Sequence, residues 1–273
     1  MKLLQKKINF SPSSIENHFE VEQISFAFLI SISFAAIFFQ LGNRSFENRG
    51  YIIYAEVARE MIRSGDWIVP RLKGEIYLHK PILLIWFIAI PSALFGKVTP
   101  FFARLPSAIS ALFGIALTFY LGKRMFNDYR SGLISSFILL SSKEYFWQAK
   151  TSRTDMLLTF FILASLLCFY TAFESSGRKR FYFSILFYIN IAFATLTKGP
   201  PGILFPMGTV IVFLIANKRI KMLFEPGFIS GFFIFWAIIL SYIFIYFNCV
   251  NPSAFLIKFK AAKILTRPEP FYY

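Results

Sequence analysis

"PILLIWFIAIPSALFG", Pro81 to Gly96, is the stretch on which the fold turns. It is apolar enough for lipid, yet short for a helix crossing a hydrocarbon core of about 30 Å, which takes roughly 17–25 residues. Pro91 sits in its middle, and Lys80 and Lys97 flank it. If it crosses, the short connectors at 123–130, 178–180 and 218–221, with nine Lys or Arg, face outward. If it lies in the interface or dips in and returns, those nine face the cytoplasm, the side that such charges prefer. This second placement also puts residues 43–80, "TSRTD", "TKGP" and the C-terminal tail on one face. We therefore expect about seven transmembrane helices, one short re-entrant or interfacial helix and a cytoplasmic N-terminus.

The rest of the chain supports a membrane protein. Its mean hydropathy is +0.59, and 37 of its 273 residues are Phe. Apolar segments recur at about 24–41, 105–121, 132–142, 156–173, 181–196, 201–216 and 227–247. Lipid leaves no backbone polar group unpaired, and these runs are too long for barrel strands, so the class is an all-α integral membrane protein. The first span, 23–41, follows Lys2, Lys6 and Lys7, and "FFQLGNRS" has no small-x-small cleavage site, so it reads as an uncleaved signal anchor. Cys168 and Cys249 make no disulfide or metal framework. The net charge of +15 on so greasy a chain belongs to membrane surfaces, and a polyanionic lipid is a fitting partner. A nucleic acid is not.

Between the first two apolar segments lies a charged outer loop, 42–100. Within it, residues 51–64 have helical periodicity. Ile53, Val57 and Met61 line one face, while Glu56, Arg59, Glu60 and Arg63 line much of the other. That pattern describes an amphipathic helix lying at the membrane surface. "SGDW" ends it, and "IVPRLKGEIYLHKP" follows as an ordered loop with Pro70 and Gly74.

Four motifs in order, "YAEVAREMIRSGDWIVPRLKGEIYLHKPILLIWF", "ARLPSAISALFGIAL", "SRTDMLLTFF" and "LTKGPPG", resemble the polyprenyl-phosphate-sugar-dependent glycosyltransferases. These are the GT-C membrane enzymes that include the protein O-mannosyltransferases and the lipid A aminoarabinose transferase. The resemblance is to the bacterial branch and covers roughly residues 20–273. It implies transfer of a sugar from a polyprenyl-phosphate carrier to an envelope lipid, glycan or protein on the outer face of the cytoplasmic membrane. Such a reaction needs a base for the acceptor hydroxyl and positive charge where the phosphate leaves.

The resemblance also implies roles. The family's base is an Asp, usually in an Asp-Glu pair just before the "YAE" match, where this chain has Gly50 and Tyr51; Glu47 in "FENRG" is the nearest acid and is expected to take the role. Asp155 in "SRTD" matches the acid of the second outer loop. Lys80 in "LHKP" matches the family's phosphate-contacting lysine, with Arg153 and Lys198 as further candidates for the donor phosphate. Tyr54, Glu56, Arg59, Glu60 and His79 are expected to support the loop. His79 stands where the family has Glu, which leaves a divalent metal open.

Each residue has a plainer reading as well. Lys80 could snorkel to headgroups, Asp155 could be a helix N-terminal charge, Lys198 a helix C-terminal cation, and Glu47 a solvated loop acid. Relatives of this kind continue past the tail "RPEPFYY", so 1–273 is expected to be one transmembrane domain forming the N-terminal half of a longer architecture. Residues 101–247 hold the remaining spans and 248–273 an outer tail; a second chain could supply the rest. The alternative to an enzyme is an inactive homologue that binds polyprenyl phosphate or a partner membrane subunit. A transporter ranks last, because the charges sit at span ends rather than inside the spans.

Overall fold

The computed structural model describes residues 12–43 and 49–250. Glu47 and the tail from 251 onward lie outside the described residues. Ten α-helices are described, in the order α1 (Pro12–Phe38), α2 (Arg49–Ser64), α3 (Leu83–Leu94), α4 (Pro100–Phe126), α5 (Tyr129–Ser141), α6 (Lys143–Ala149), α7 (Thr154–Glu174), α8 (Gly177–Lys198), α9 (Pro201–Ala216) and α10 (Pro226–Cys249). A short hairpin of β1 (Arg71–Leu72) and β2 (Glu75–Ile76) follows α2, and a 3-10 turn spans Ile220–Phe224. The fold is an all-helical, multi-pass membrane one, with that hairpin as its single extended element among the described residues.

Five helices are long and apolar enough to cross a membrane: Glu20–Phe38 within α1, then α4, α7, α8 and α10. About seven are expected from the sequence; α9 and the α5–α6 pair are shorter pieces that pack alongside these five. The α5–α6 pair, broken at Ser142, runs back along α4. Gly132 meets Gly122, Ser136 Oγ donates to the Ile115 carbonyl (3.1 Å), and Tyr145 Oη donates to the Ala111 carbonyl (2.8 Å). Together the two pieces match most of the length of α4, although neither does so alone. α9 has 16 residues, yet its start packs on Ala194 of α8 and Phe213 near its end packs on Phe173 at the far end of α7.

Local sequence explains most joints. Thr99 Oγ1 accepts from the Phe102 amide (3.3 Å) and Pro100 opens α4. Asn127 ends it in the left-handed conformation, and the Asp128 side chain accepts from the Arg130 and Ser131 amides to start α5. Gly199, at φ 77°, turns α8 into the Pro-Pro start of α9. In the hairpin, Lys73 (φ 54°) and Gly74 (φ 79°) are the two central residues, the left-handed pair that matches strand twist.

Helix pairs meet at small residues, as helices in lipid do when close van der Waals packing must hold them together. A Cβ on Gly132 would lie 2.5 Å from the Phe119 carbonyl oxygen, and one on Gly202 would lie 2.4 Å from the backbone of Ala194. The main core draws on Met61 of α2, Ile88 of α3, Phe161 of α7, Phe187 of α8 and Phe228 of α10. Large apolar side chains such as Phe233 and Phe244 of α10 remain exposed, as a lipid-facing surface requires.

α3 does not cross. Its N-terminal Trp86 stacks edge-on against Tyr242 near the C-terminal end of α10 (6.0 Å). Phe95, just past its C-terminus, stacks on Phe102 in the first turn of α4 (5.0 Å). The beginning of α4 and the end of α10 lie at the same end of the bundle, so α3 starts and stops there. Its buried face, including Leu84, Ile85, Ile88 and Ala89, rests on the core. The interfacial reading of Pro81–Gly96 is the one the packing adopts.

Candidate functional site

That end of the bundle gathers α2, the hairpin, α3, the start of α7 and the end of α8. At the opposite end, Arg124 Nε donates to Glu174 (2.6 Å), Arg219 lies over Phe173 (4.9 Å) and Arg180 donates to Glu225 (2.8 Å). The three basic connectors therefore share the far end.

Asp155 lies in the first turn of α7, where its charge complements the helix N-terminus. Lys198, the last residue of α8, donates to its Oδ1. Arg153 Nε is 3.9 Å from Oδ2 and its guanidinium lies 5.8 Å from the Trp147 ring centre. A carboxylate with two cations at hand is thus assembled from two helices and a loop.

Tyr54 of α2 reaches the same place. Its phenol lies beside the Thr154 side chain and Tyr77. Burial, and then the negative charge of Asp155, push the Tyr54 hydroxyl above its ordinary 10.0, against the opposing pull of Thr154, Arg153 and Tyr77. Burial followed by the neighbouring Tyr54 pushes Tyr77 up as well. Both phenols therefore remain protonated at neutral pH.

Tyr77 also connects this cluster to Lys80. Its ring is one wall of a cleft of about 240 Å³ between the loop and α10, which Pro70, Leu78, Tyr242 and Tyr246 complete and Lys80 lines. Lys80 is half-buried and has no ion-pair partner among the described residues. A cleft with aromatic and aliphatic walls and one cation suits an amphiphile with an anionic head.

The remaining candidates hold the loop in place. Glu60 Oε1 accepts from the Gly74 amide (2.6 Å), fastening the hairpin turn to α2. Glu56 and Arg59 pair with each other along α2. His79 is exposed, its ring 5.5 Å from that of Tyr77. Asp66 accepts from the Ile68 and Val69 amides (3.1 and 3.0 Å), and Trp86 Nε1 donates to the Trp67 carbonyl (2.6 Å). Glu47 lies outside the described residues. Among the described residues no three His, Cys, Asp or Glu side chains come together as a metal site.

Sequence reasoning missed Tyr77, Tyr242, Tyr246 and Thr154. Tyr242 and Tyr246 are four apart at the end of the last apolar run, a spacing that places both on one helix face. Nothing comparable marks Tyr77, whose importance comes from the hairpin.

A family model described as dolichyl-phosphate-mannose-protein mannosyltransferase matches residues 24–261. An uncharacterized protein of Aquifex aeolicus is 29% identical over 240 residues, covering 86% of this chain and 47% of that one. The undecaprenyl phosphate-alpha-4-amino-4-deoxy-L-arabinose arabinosyl transferase of Serratia proteamaculans is 30% identical over 205 residues, 74% of this chain and 37% of that one. Crystal structures of ArnT from Cupriavidus metallidurans, apo and bound to undecaprenyl phosphate, superpose with a TM-score of 0.75 at 23% identity. They cover 81% of this chain and 41% of theirs, and they show the shared fold. The chain spans less than half the length of these relatives.

Proposed function

The chain belongs to the dolichyl-phosphate-mannose-protein mannosyltransferase family, and from that premise we propose that it handles a polyprenyl-phosphate-linked sugar and serves its transfer to an envelope lipid, glycan or protein. The carrying observation is the continuous run from the Lys80 cleft through Tyr77 and Tyr54 to Asp155 and Lys198. The cleft takes the first isoprenyl units and Lys80 the phosphate, for which a compact ammonium suits as a point charge. Lys198 and Arg153 supply further positive charge beside Asp155.

In the reaction, the acceptor oxygen attacks the anomeric carbon, the bond from that carbon to the phosphate oxygen breaks, and the polyprenyl phosphate leaves with the electron pair. The acceptor proton passes to a carboxylate, Glu47 in this reading, with Asp155 orienting the hydroxyl. Lys80, Lys198 and Arg153 oppose the charge that grows on the leaving phosphate. The Yersinia enterocolitica and Serratia proteamaculans relatives are named undecaprenyl phosphate-alpha-4-amino-4-deoxy-L-arabinose arabinosyl transferases, which supports a lipid-linked donor.

The site end faces outward and the N-terminus is cytoplasmic. This follows from the far end, where three short connectors hold nine Lys or Arg. The protein is thus read as a multi-pass protein of the cytoplasmic membrane, its described residues forming one transmembrane domain that matches less than half of its relatives' length.

The test follows a radiolabelled polyprenyl-phosphate sugar pool into envelope lipids, comparing wild type with Glu47→Gln. Transfer lost in the variant supports an enzyme with its base at Glu47. A second reading, carrier binding without transfer, is favoured by Gly50 and Tyr51 standing where an Asp-Glu pair belongs. Absence of transfer by wild type, with carrier binding intact, selects it.

A further inference from the structure

Away from the Lys80 cleft, the C-terminal ends of α2 and α3 enclose a second pocket of about 250 Å³, lined by Arg59, Ile62, Arg63, Ser92, Gly96, Lys97 and Val98. Arg59 is paired with Glu56. Arg63 and Lys97 are exposed, with no acidic partner among the described residues. Both sit beside helix C-termini, whose partial negative charge tolerates a cation but leaves most of each full charge uncompensated.

Ser92 marks the place independently. It is 1% exposed, and its hydroxyl has no hydrogen-bond partner among the described residues. A buried hydroxyl without a partner costs about 1–3 kcal/mol, which Ser33 (2.7 Å), Ser165 and Ser184 avoid by donating to a carbonyl one turn back.

Beside the pocket, α3 ends in exposed apolar side chains, Leu94 and Phe95, next to Gly96 and Lys97. The face of α3 opposite Leu94 is buried in the core.

We propose that this pocket binds the phosphate of an anionic phospholipid from the surrounding leaflet, with an acyl chain over the exposed Leu94 and Phe95 at the end of α3. Arg63 and Lys97 hold the phosphate oxygens, and the Ser92 hydroxyl donates to one of them. A bound lipid there seats α3 against α2 on the lipid-exposed flank of the loop. The site is separate from the Lys80 cleft and does not depend on the proposed transfer.

The test incubates the purified full chain in detergent with equimolar phosphatidylglycerol and phosphatidylcholine, and reads the retained lipids by native mass spectrometry. Wild type retains phosphatidylglycerol in preference. R63Q/K97Q lowers that preference at least about fivefold, R63K/K97R keeps it, and Lys179→Gln, an exposed cation at the far end, leaves it unchanged. An undiminished preference in R63Q/K97Q overturns the proposal, as does a loss in Lys179→Gln equal to that in R63Q/K97Q. Displacement by millimolar inorganic phosphate with no preference between the lipids overturns the lipid assignment in favour of a free-anion pocket. If R63Q/K97Q does not fold, Lys97→Gln alone, at an exposed side chain, reads the same ratio.

Discussion

Lys198 ends α8 and Asp155 begins α7, and their side chains form an ion pair between positions 43 apart in sequence. The two helices run antiparallel, so the C-terminus of one meets the N-terminus of the other at the same end of the bundle. Each charge is also on the helix end that its sign favours. Arg153 and Tyr54 complete the surroundings of the carboxylate.

Both side chains of that pair are about one-third exposed, 30% for Lys198 and 33% for Asp155. Asp155→Asn is therefore expected to cost about 1 kcal/mol or less of stability, measured by thermal unfolding in detergent. If the carboxylate orients the acceptor, sugar transfer falls at least about tenfold in the same variant, about 1.4 kcal/mol in barrier. Transfer that drops no further than stability explains would make the pair a helix tie and nothing more.

Lys80→Ala is expected to weaken undecaprenyl phosphate binding at least about tenfold, about 1.4 kcal/mol, in nanodisc titrations. Lys80→Arg keeps the charge but spreads it over a planar fork, so an intermediate affinity is expected. Equal affinity for wild type and the Ala variant would remove the phosphate assignment.

The pH response of Tyr54 has a definite sign. Its hydroxyl is raised above 10.0 by burial and by Asp155, so the folded state holds its proton more tightly than the unfolded chain does. The stability this contributes is complete below pH 10 and is lost as pH rises through the folded value. Wild type is expected to lose stability above pH 10 more steeply than Tyr54→Phe, with parallel curves between pH 6 and 9 (roughly the range below both values). Denaturant titrations along a pH series would show it, and parallel curves throughout would rule it out.

Orientation can be read with an impermeant thiol reagent. After Cys168 and Cys249 are replaced by Ser, Ser64→Cys at the site end is expected to label in intact cells. Lys179→Cys at the far end is expected to label after permeabilisation alone; both positions are exposed. The reverse pattern would place the site end in the cytoplasm.

Gly202→Val tests the α8–α9 contact. Even a Cβ would lie 2.4 Å from the Ala194 backbone, and neither backbone can yield without the helices separating. A loss of about 1–3 kcal/mol is expected, against little change for Gly208→Ala, where the space is open.

Much of this was legible without a structure, because it is local. Hydropathy identified a membrane protein, and a 3.6-residue period marked α2, with Val57 and Met61 buried in the core. Thr99-Pro100, Asn127-Asp128 and Gly199-Pro200 are joints whose backbone chemistry depends on near neighbours. Family membership was legible too, from motifs in order. The placement of Pro81–Gly96 came from charge bookkeeping over the whole chain, and the packing of Trp86 and Phe95 at one end agrees with it.

Tertiary structure decided the rest. Nothing in "SGLISSFILLSSKEYFWQA" says that two short helices together accompany α4, because the run is interrupted at Ser142 and the match depends on Tyr145 reaching Ala111. Nor does it show that Tyr77 joins the Lys80 cleft to Tyr54 and Asp155, since those groups come from a hairpin, a surface helix and two bundle helices. Periodicity records which face of a helix is buried. Which helix ends meet depends on the order and crossing of helices that are each a membrane's thickness long, and that information resides in packing between distant residues.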